Sequence, residues 1–236
     1  MEFNKLTAPS LKELFIKELE GMILSGKLAV GEKLPPEREI AKTMQVSRGV
    51  VNCGIMELSR KGFLTIKPRM GTFIADYRRN GTMETLISIL HYNGGMLRAS
   101  EIRSILEIRQ ALSELSFRLA IPQLTDKDME TLRKYVDGIA KAASRREASE
   151  RAFEFHHELA VLSGNMLMPL IYYSFKDAVL MLWERFCDLH GVEKLYSNTD
   201  TLCRYIEQRD IEGAIKWSEK TLKDAITGKD QIYYYS

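Results

Sequence analysis

Long apolar runs are missing from this chain: nowhere do about eighteen consecutive apolar residues occur, which excludes a conventional membrane-spanning helix. The opening residues MEFNKLTAPS also lack the apolar segment of a secretion signal, so we expect a soluble, unexported, cytoplasmic protein. Cysteine is scarce. Cys53, Cys187 and Cys203 are odd in number and have no CxxC spacing, which excludes a disulfide framework or a zinc ribbon and fits reduced thiols. A glycine-rich phosphate loop is absent too, and the four histidines form no metal-ligand spacing, so no reaction class can be assembled from the residues. Net charge is only +2, too little by itself to imply a polyanionic partner.

What the chain does contain is 45% hydrophobic and 28% charged residues over 236 positions, enough to build two compact cores and to argue against disorder. The charge is also uneven. Residues 1–79 carry 14 Lys and Arg against 9 Asp and Glu, whereas the remainder carries 20 against 23. A basic first part suits contact with phosphates.

The polar stretch from Asp76 to Gly81, ending in Asn-Gly, separates two unlike patterns. We therefore expect an N-terminal domain over 1–76, a linker over 77–82 and a second domain over 83–236. In the first, Leu11, Leu14, Phe15, Ile16, Leu19, Met22 and Ile23 recur at helical spacing up to Gly26. A short helix follows from Glu37, and Ser47 restarts another that runs to about Arg60. Beyond Gly62, the runs 63–66 and 72–74 flank Lys67-Pro68-Arg69-Met70-Gly71 and read as a β-hairpin. Three helices and a hairpin make a winged helix. On the third helix Val51, Ile55 and Leu58 form the buried stripe, which turns Arg48, Gly49, Asn52 and Cys53 outward. Arginine pairs bidentately with guanine and asparagine with adenine, so these are the expected base readers. Gly54 within this helix points to close packing against a neighbour.

The elements Gly26-x-Leu28-x-x-Gly31-x-x-Leu34-Pro35, Glu37-Arg38-Glu39-Ile40-Ala41, Val46-Ser47-Arg48, the exit from Leu58 to Gly62, and Gly71-Thr72-Phe73 together resemble the DNA-binding domain of GntR-type bacterial regulators. That resemblance implies an interface of Arg38, Ser47, Arg48, Gly49, Asn52, Lys67, Arg69 and Gly71. Two departures stand out. Pro36 replaces the usual serine and removes a capping hydroxyl, and Asn52-Cys53-Gly54 replaces the usual Arg-Glu-Ala, so no operator is borrowed from relatives.

After the linker, helical periodicity is expected over 83–92, 99–121, 126–143, 148–163, 166–190, 194–208 and 210–227, an antiparallel all-α bundle. Its order resembles the FadR-like (FCD) effector domain through Glu107-Ile108-Arg109-x-x-Leu112, Phe155-His156-x-x-Leu159, Ser163-Gly164-Asn165 and Asp210-x-x-x-Ala214. Many such bundles hold a divalent metal with one aspartate and three histidines. Here the matching positions are Ala152, His156, Thr199 and Thr221, and one ligand of four is too few, so we expect neither metal nor cofactor. The resemblance turns Arg109, His156 and Asn165 inward, where they would hold an anionic effector. Arg109 reads equally as a structural arginine paired with a glutamate. His91 and His190 stand alone. The cluster Tyr172, Tyr173, Phe175, Leu180, Met181, Leu182, Trp183 and Phe186 reads as bundle core and dimer surface rather than a cofactor box.

The expected function is therefore that of a ligand-responsive regulator. It binds double-stranded DNA at a palindromic operator as a homodimer, and has no membrane partner. An adaptor whose winged helix contacts protein, or a helical-bundle enzyme, are the alternatives; His156-His157 beside Glu154 and Glu158 would be the acid–base cluster of the latter.

Overall fold

The computed structural model describes residues 9–92 and 99–233, and the chain divides into two compact units, Met1–Met96 and Leu97–Ser236. The first eight residues, within the segment that argued against a secretion signal, lie outside the described residues. The first unit contains α1 (Leu11–Leu24), α2 (Glu37–Thr43), α3 (Arg48–Arg60), β1 (Leu64–Lys67), β2 (Gly71–Ile74), α4 (Tyr77–Asn80) and α5 (Met83–His91). Helix α1 starts where a capping box allows it: Ser10 Oγ accepts from the Glu13 amide at 3.2 Å and the Ser10 amide donates to Glu13 Oε2 at 2.7 Å. It stops before Gly26, which turns the chain at φ +81°. Phe15, Ile16, Leu19 and Ile23 of α1 close over Val51, Ile55 and Leu58 of α3, and Phe63, Leu64 and Ile74 complete this core. The hairpin pairs Leu64 with Ile74 and Lys67 with Gly71, and Lys33 bridges to Phe73.

Gly54 of α3 faces the Phe15 ring of α1. A Cβ there would stand 2.2 Å from Cδ1 of Phe15, inside van der Waals contact, so only glycine admits this packing.

The segment after the hairpin belongs to the first unit and extends beyond the 77–82 linker expected from sequence. Residues 77–80 form the short helix α4, and α5 is tied to α1 and to the end of α3. Thr85 Oγ1 donates to the Lys61 carbonyl, Ser88 Oγ donates to Glu20 Oε1 at 3.0 Å, and Tyr92 donates to the Gly21 carbonyl at 3.2 Å. Lys61 Nζ meets the same Glu20 carboxylate at 2.9 Å, with both side chains largely buried.

The second unit holds α6 (Ala99–Ala120), a 3-10 turn at Ile121–Gln123, α7 (Asp126–Lys141), α8 (Arg145–Leu162), α9 (Met168–Ser174), α10 (Lys176–His190), α11 (Val192–Glu207) and α12 (Ile211–Thr227). Helix α8 is flanked by α6, α7, α10 and α11, and α12 packs on α6 and α11. The caps are local. Thr125 and Asp128 form a capping box for α7, Ser144 caps α8, and Asp210 caps α12. Ser144 starts α8 three residues ahead of the expected 148. The single helix expected over 166–190 is two helices. Phe175 leaves helical geometry at φ −92°, ψ 1°, and this bend lets Tyr172 and Phe175 both enter the interior. No helix of the described residues is long and apolar enough to cross a membrane.

Candidate nucleic-acid interface and ligand cavity

Ser47 sits extended at φ −70°, ψ 152°, and its Oγ accepts from the Val50 amide at 3.2 Å. This cap fixes the start of α3 and leaves the first-turn amides of Arg48 and Gly49 outside the helical ladder, where an anion can meet them. Val51 and Leu58 are fully buried, and Ile55 nearly so, which sets the rotation of the helix and leaves Arg48, Gly49, Asn52 and Cys53 exposed. Arg38 is exposed on α2. Pro36 caps that helix with no side-chain bond, and its carbonyl accepts from the Glu39 and Ile40 amides at 2.8 and 3.1 Å.

On the hairpin, Lys67 and Arg69 are exposed, with Arg69 in the left-handed region at φ +62° and Lys67 Nζ 4.9 Å from the Phe73 ring centre. Gly71 turns at φ +115°, and a Cβ there would meet Lys33 Cε at 2.8 Å. Lys33 thus lies against the wing, a neighbouring cation that sequence inspection did not single out. Glu37 is another such residue. Asn52 Nδ2 donates to Glu37 Oε1 at 3.2 Å, so one donor of the expected adenine reader is already engaged by α2.

In the second unit, Arg109 of α6, His156 of α8 and Trp183 of α10 converge. Arg109 lies over the Trp183 ring, its guanidinium carbon 4.3 Å from the ring centre, and His156 stacks on the same indole at 5.5 Å with 21° between planes. Arg109 Nη2 donates to His156 Nε2 at 3.2 Å. A guanidinium has no acceptor, so the imidazole must accept here and carries its proton on Nδ1. Burial, helped by the adjacent guanidinium, holds the His156 pKa well below the usual histidine range. No carboxylate among the described residues pairs with Arg109, so the structural-arginine alternative lacks its glutamate. Its Nε is buried without a partner.

These three side chains border a cavity of about 70 Å³ whose other walls include Leu195, Thr199 and Leu202 of α11 and Thr221 and Leu222 of α12. Trp183 is buried, as expected for core, and also forms a wall of this cavity. Asn165 is not. It is exposed in the turn after α8, and its Oδ1 accepts from the Leu167 and Met168 amides at 3.0 and 3.2 Å, so local capping satisfies the group that was expected to point inward. His157 turns to another face, with Nε2 3.2 Å from the Pro169 carbonyl. The side chain of His91 lies outside the described residues. Of the aromatic cluster, Tyr172, Phe175, Trp183 and Phe186 are buried, whereas Tyr173 is exposed.

The site does not fit a divalent metal. Ala152 offers a buried methyl, Thr199 and Thr221 offer alcohols already donating to the Leu195 and Ser218 carbonyls at 2.9 and 3.0 Å, and a cation occupies the Nε2 side of His156. Among the described residues, no group of three or more His, Cys, Asp and Glu side chains is placed to hold an ion. Cys203 and Cys187 are buried thiols, pushed by burial up to about 12 and about 11, and Cys53 is exposed on α3.

The sequence profile of bacterial regulatory proteins of the gntR family matches residues 12–74, and that of the FCD domain matches residues 104–223, about half of the chain. The chain belongs to the GntR family. Within it, the chain is 28% identical to the HTH-type transcriptional regulator LutR of Bacillus subtilis over 148 residues, which cover 62% of this chain and 65% of that protein. It is 31% identical to Mce2R of Mycobacterium tuberculosis over 137 residues, covering 56% and 57%. With the HTH-type transcriptional repressor NanR of Cronobacter sakazakii it shares 29% over 182 residues, covering 73% and 66%. The matched part thus spans just under two thirds of LutR and NanR. These relatives are transcriptional regulators rather than enzymes. Among solved structures, one described as Lar, which controls the expression of the Listeria monocytogenes agr system, aligns with a TM-score of 0.64 at 14% identity over 94% of this chain and 98% of that one. That likeness concerns the fold alone.

Proposed function

We propose that the chain is a cytoplasmic transcriptional regulator that binds an operator through its first unit and whose DNA affinity is set by a small anionic ligand in its second. The observation that carries this reading is the solvent face of α3: a helix capped by Ser47 and rotated by a buried apolar stripe so that Arg48, Gly49 and Asn52 stand exposed, as Arg38 does on α2. Arg48 and Asn52 would read base edges, while Arg38, Lys67 and Arg69, with the helix amides, would hold phosphates. Gly71 would keep the wing in shape. Asn52 would have to leave Glu37, or share it, on meeting a base.

A single reading helix offers too few base contacts for a specific site, so we further propose a homodimer on a palindromic operator. The ligand would act by binding better to one of the two states of the dimer, DNA-competent or not, and by no more than that difference in affinity. The test is DNase I footprinting on the chain's own upstream region, with Arg48→Ala as the control. We expect a symmetric footprint, lost in Arg48→Ala while the variant still elutes as a dimer. A footprint unchanged by Arg48→Ala would refute the assignment of α3.

A further inference from the structure

Given the proposed role of α3 as the operator-reading helix, on which this rests, we propose that Glu37 of α2 is a specificity-determining residue. It stays bonded to Asn52 on DNA, and the pair selects the exocyclic amino group of an adenine or a cytosine at one position of the site.

Four observations lead there. First, the fold beneath the two side chains holds them together. Ile40 and Ala41, three and four residues beyond Glu37, are buried in the same core as Val51 and Ile55, and the Val46 amide donates to the Ala41 carbonyl at 3.1 Å across the turn at Gln45. Glu37 is thereby kept half-buried, with Oε1 accepting from Asn52 Nδ2 at 3.2 Å. Second, a carboxylate only accepts, so the atom of Asn52 that faces it must be the amide nitrogen. An asparagine without such an anchor can turn either its oxygen or its nitrogen to a base; here the orientation is set. Third, what the pair has left is rich in acceptors. Asn52 Oδ1 and Glu37 Oε2 have no bond among the described residues, and one Nδ2–H remains. In the major groove adenine N6 and cytosine N4 donate, whereas guanine O6 and thymine O4 would set an oxygen against the carboxylate. Adenine would place N6 on Oδ1 and N7 on the remaining Nδ2–H, and cytosine would place N4 on Oε2. Fourth, Glu37 forms no ion pair among the described residues, in contrast to Glu57 of α3, which Lys12 and Arg60 both meet. An uncompensated carboxylate on a face that approaches phosphates opposes binding to DNA of any sequence, and so favours the sites at which it meets an amino group.

The experiment is binding-site selection by the full chain from a pool of randomised duplexes, followed by fluorescence anisotropy on the selected duplex, its single base-pair replacements and a random duplex. Asn52→Ala identifies the position concerned, as the one at which base preference disappears. There, replacing adenine by purine, or cytosine by pyrimidinone, removes the amino group and should weaken binding of the parent chain at least about fivefold. In Glu37→Gln most of that penalty should vanish, because a neutral amide can donate to Asn52 as well as accept and no longer sets its orientation. The same variant should bind the random duplex about twofold tighter at low salt, a gain that added salt removes. Glu37→Asp keeps the charge on a side chain one methylene shorter; it should lose the penalty too, yet bind the random duplex as the parent does. In the Asn52→Ala background Glu37→Gln should change no base preference. Several results overturn the proposal: no position that depends on Asn52, no penalty in the parent for removing the amino group, the parent's full penalty in Glu37→Gln or Glu37→Asp, weakening spread evenly over every position, or additive effects of Glu37→Gln and Asn52→Ala. If the chain selects no sequence, the operator reading falls and this one with it. If it selects a sequence that requires Arg48 but is indifferent to Glu37, this one alone falls.

Discussion

The groups proposed to meet DNA in the first unit and those proposed to hold a ligand in the second are built in opposite ways. Arg38, Arg48, Gly49, Asn52, Lys67 and Arg69 stand in solvent on one short stretch of chain, and the fold beneath them rests on other residues. Arg109, His156 and Trp183 come from three helices, touch one another, and are buried or half-buried parts of the bundle. On the proposed reading the first set gains its energy only when a partner arrives, so removing one member should change binding and leave folding alone. On the same reading the second set contributes to folding and ligand binding together, so its substitutions should change both.

The largest expected effect is on the scaffold beneath the exposed set. Gly54→Val places a side chain into the Phe15 ring and should destabilise the first unit by about 3 kcal/mol, read as a lower unfolding midpoint in urea. A neutral Gly54→Val would mean that α1 and α3 do not approach as described. Next comes Arg48→Ala, which should cost about 1–3 kcal/mol of operator discrimination, roughly fivefold to 150-fold in Kd, with an unchanged urea midpoint. A comparable loss of stability would erase the contrast between the two sites.

Acid should expose the buried set. Because the folded state holds His156 below its unfolded pKa of about 6.5, the unfolded chain binds more protons as pH falls through that value. Stability should therefore be independent of this group above about pH 7 and decline below about 6.5, by up to about 1.4 kcal/mol per pH unit. His156→Gln should flatten the profile in that window. Equal slopes in the two proteins would show that the imidazole is not buried neutral. The smallest effect is on the wing: Lys67→Ala should lower the slope of log K against log salt by about 1 and hardly alter sequence preference.

What was legible in the sequence follows the same division. The first unit is specified by neighbours in the chain: Ser47 with Val50, Gly26 after α1, and the alternation on either side of the Lys67–Gly71 turn each determine a feature within a few residues. The exposed face of α3 could be drawn from its apolar stripe alone, and Gly54 already pointed to a close neighbour without revealing that it is Phe15. The contacts of Asn52 with Glu37 and of α5 with Glu20 and Lys61 join residues 15 or more apart, and spacing does not encode them.

In the second unit, helical periodicity located the helices but not the bend at Phe175, since a continuous apolar pattern is compatible with one helix or two. Trp183 read as core and is buried, but a large aromatic on a buried stripe looks the same whether it meets leucine or a guanidinium, so its contact with Arg109 was not legible. Asn165 was expected inward by resemblance, yet its side chain serves the two amides that follow it, a local use that Gly164-Asn165 already permits. Arg109 and His156 were both singled out from the sequence, although their mutual bond was not.

The most direct test of the central claim is competition fluorescence anisotropy of the purified chain on fragments of its own upstream region, titrated from low to physiological salt. We predict that one fragment outcompetes random DNA, with a steep salt slope, and that Arg48→Ala reduces it to the random level. If no fragment exceeds random DNA at any salt concentration, or if Arg48→Ala binds like the parent, the exposed face of α3 is not an operator-reading surface and the account fails.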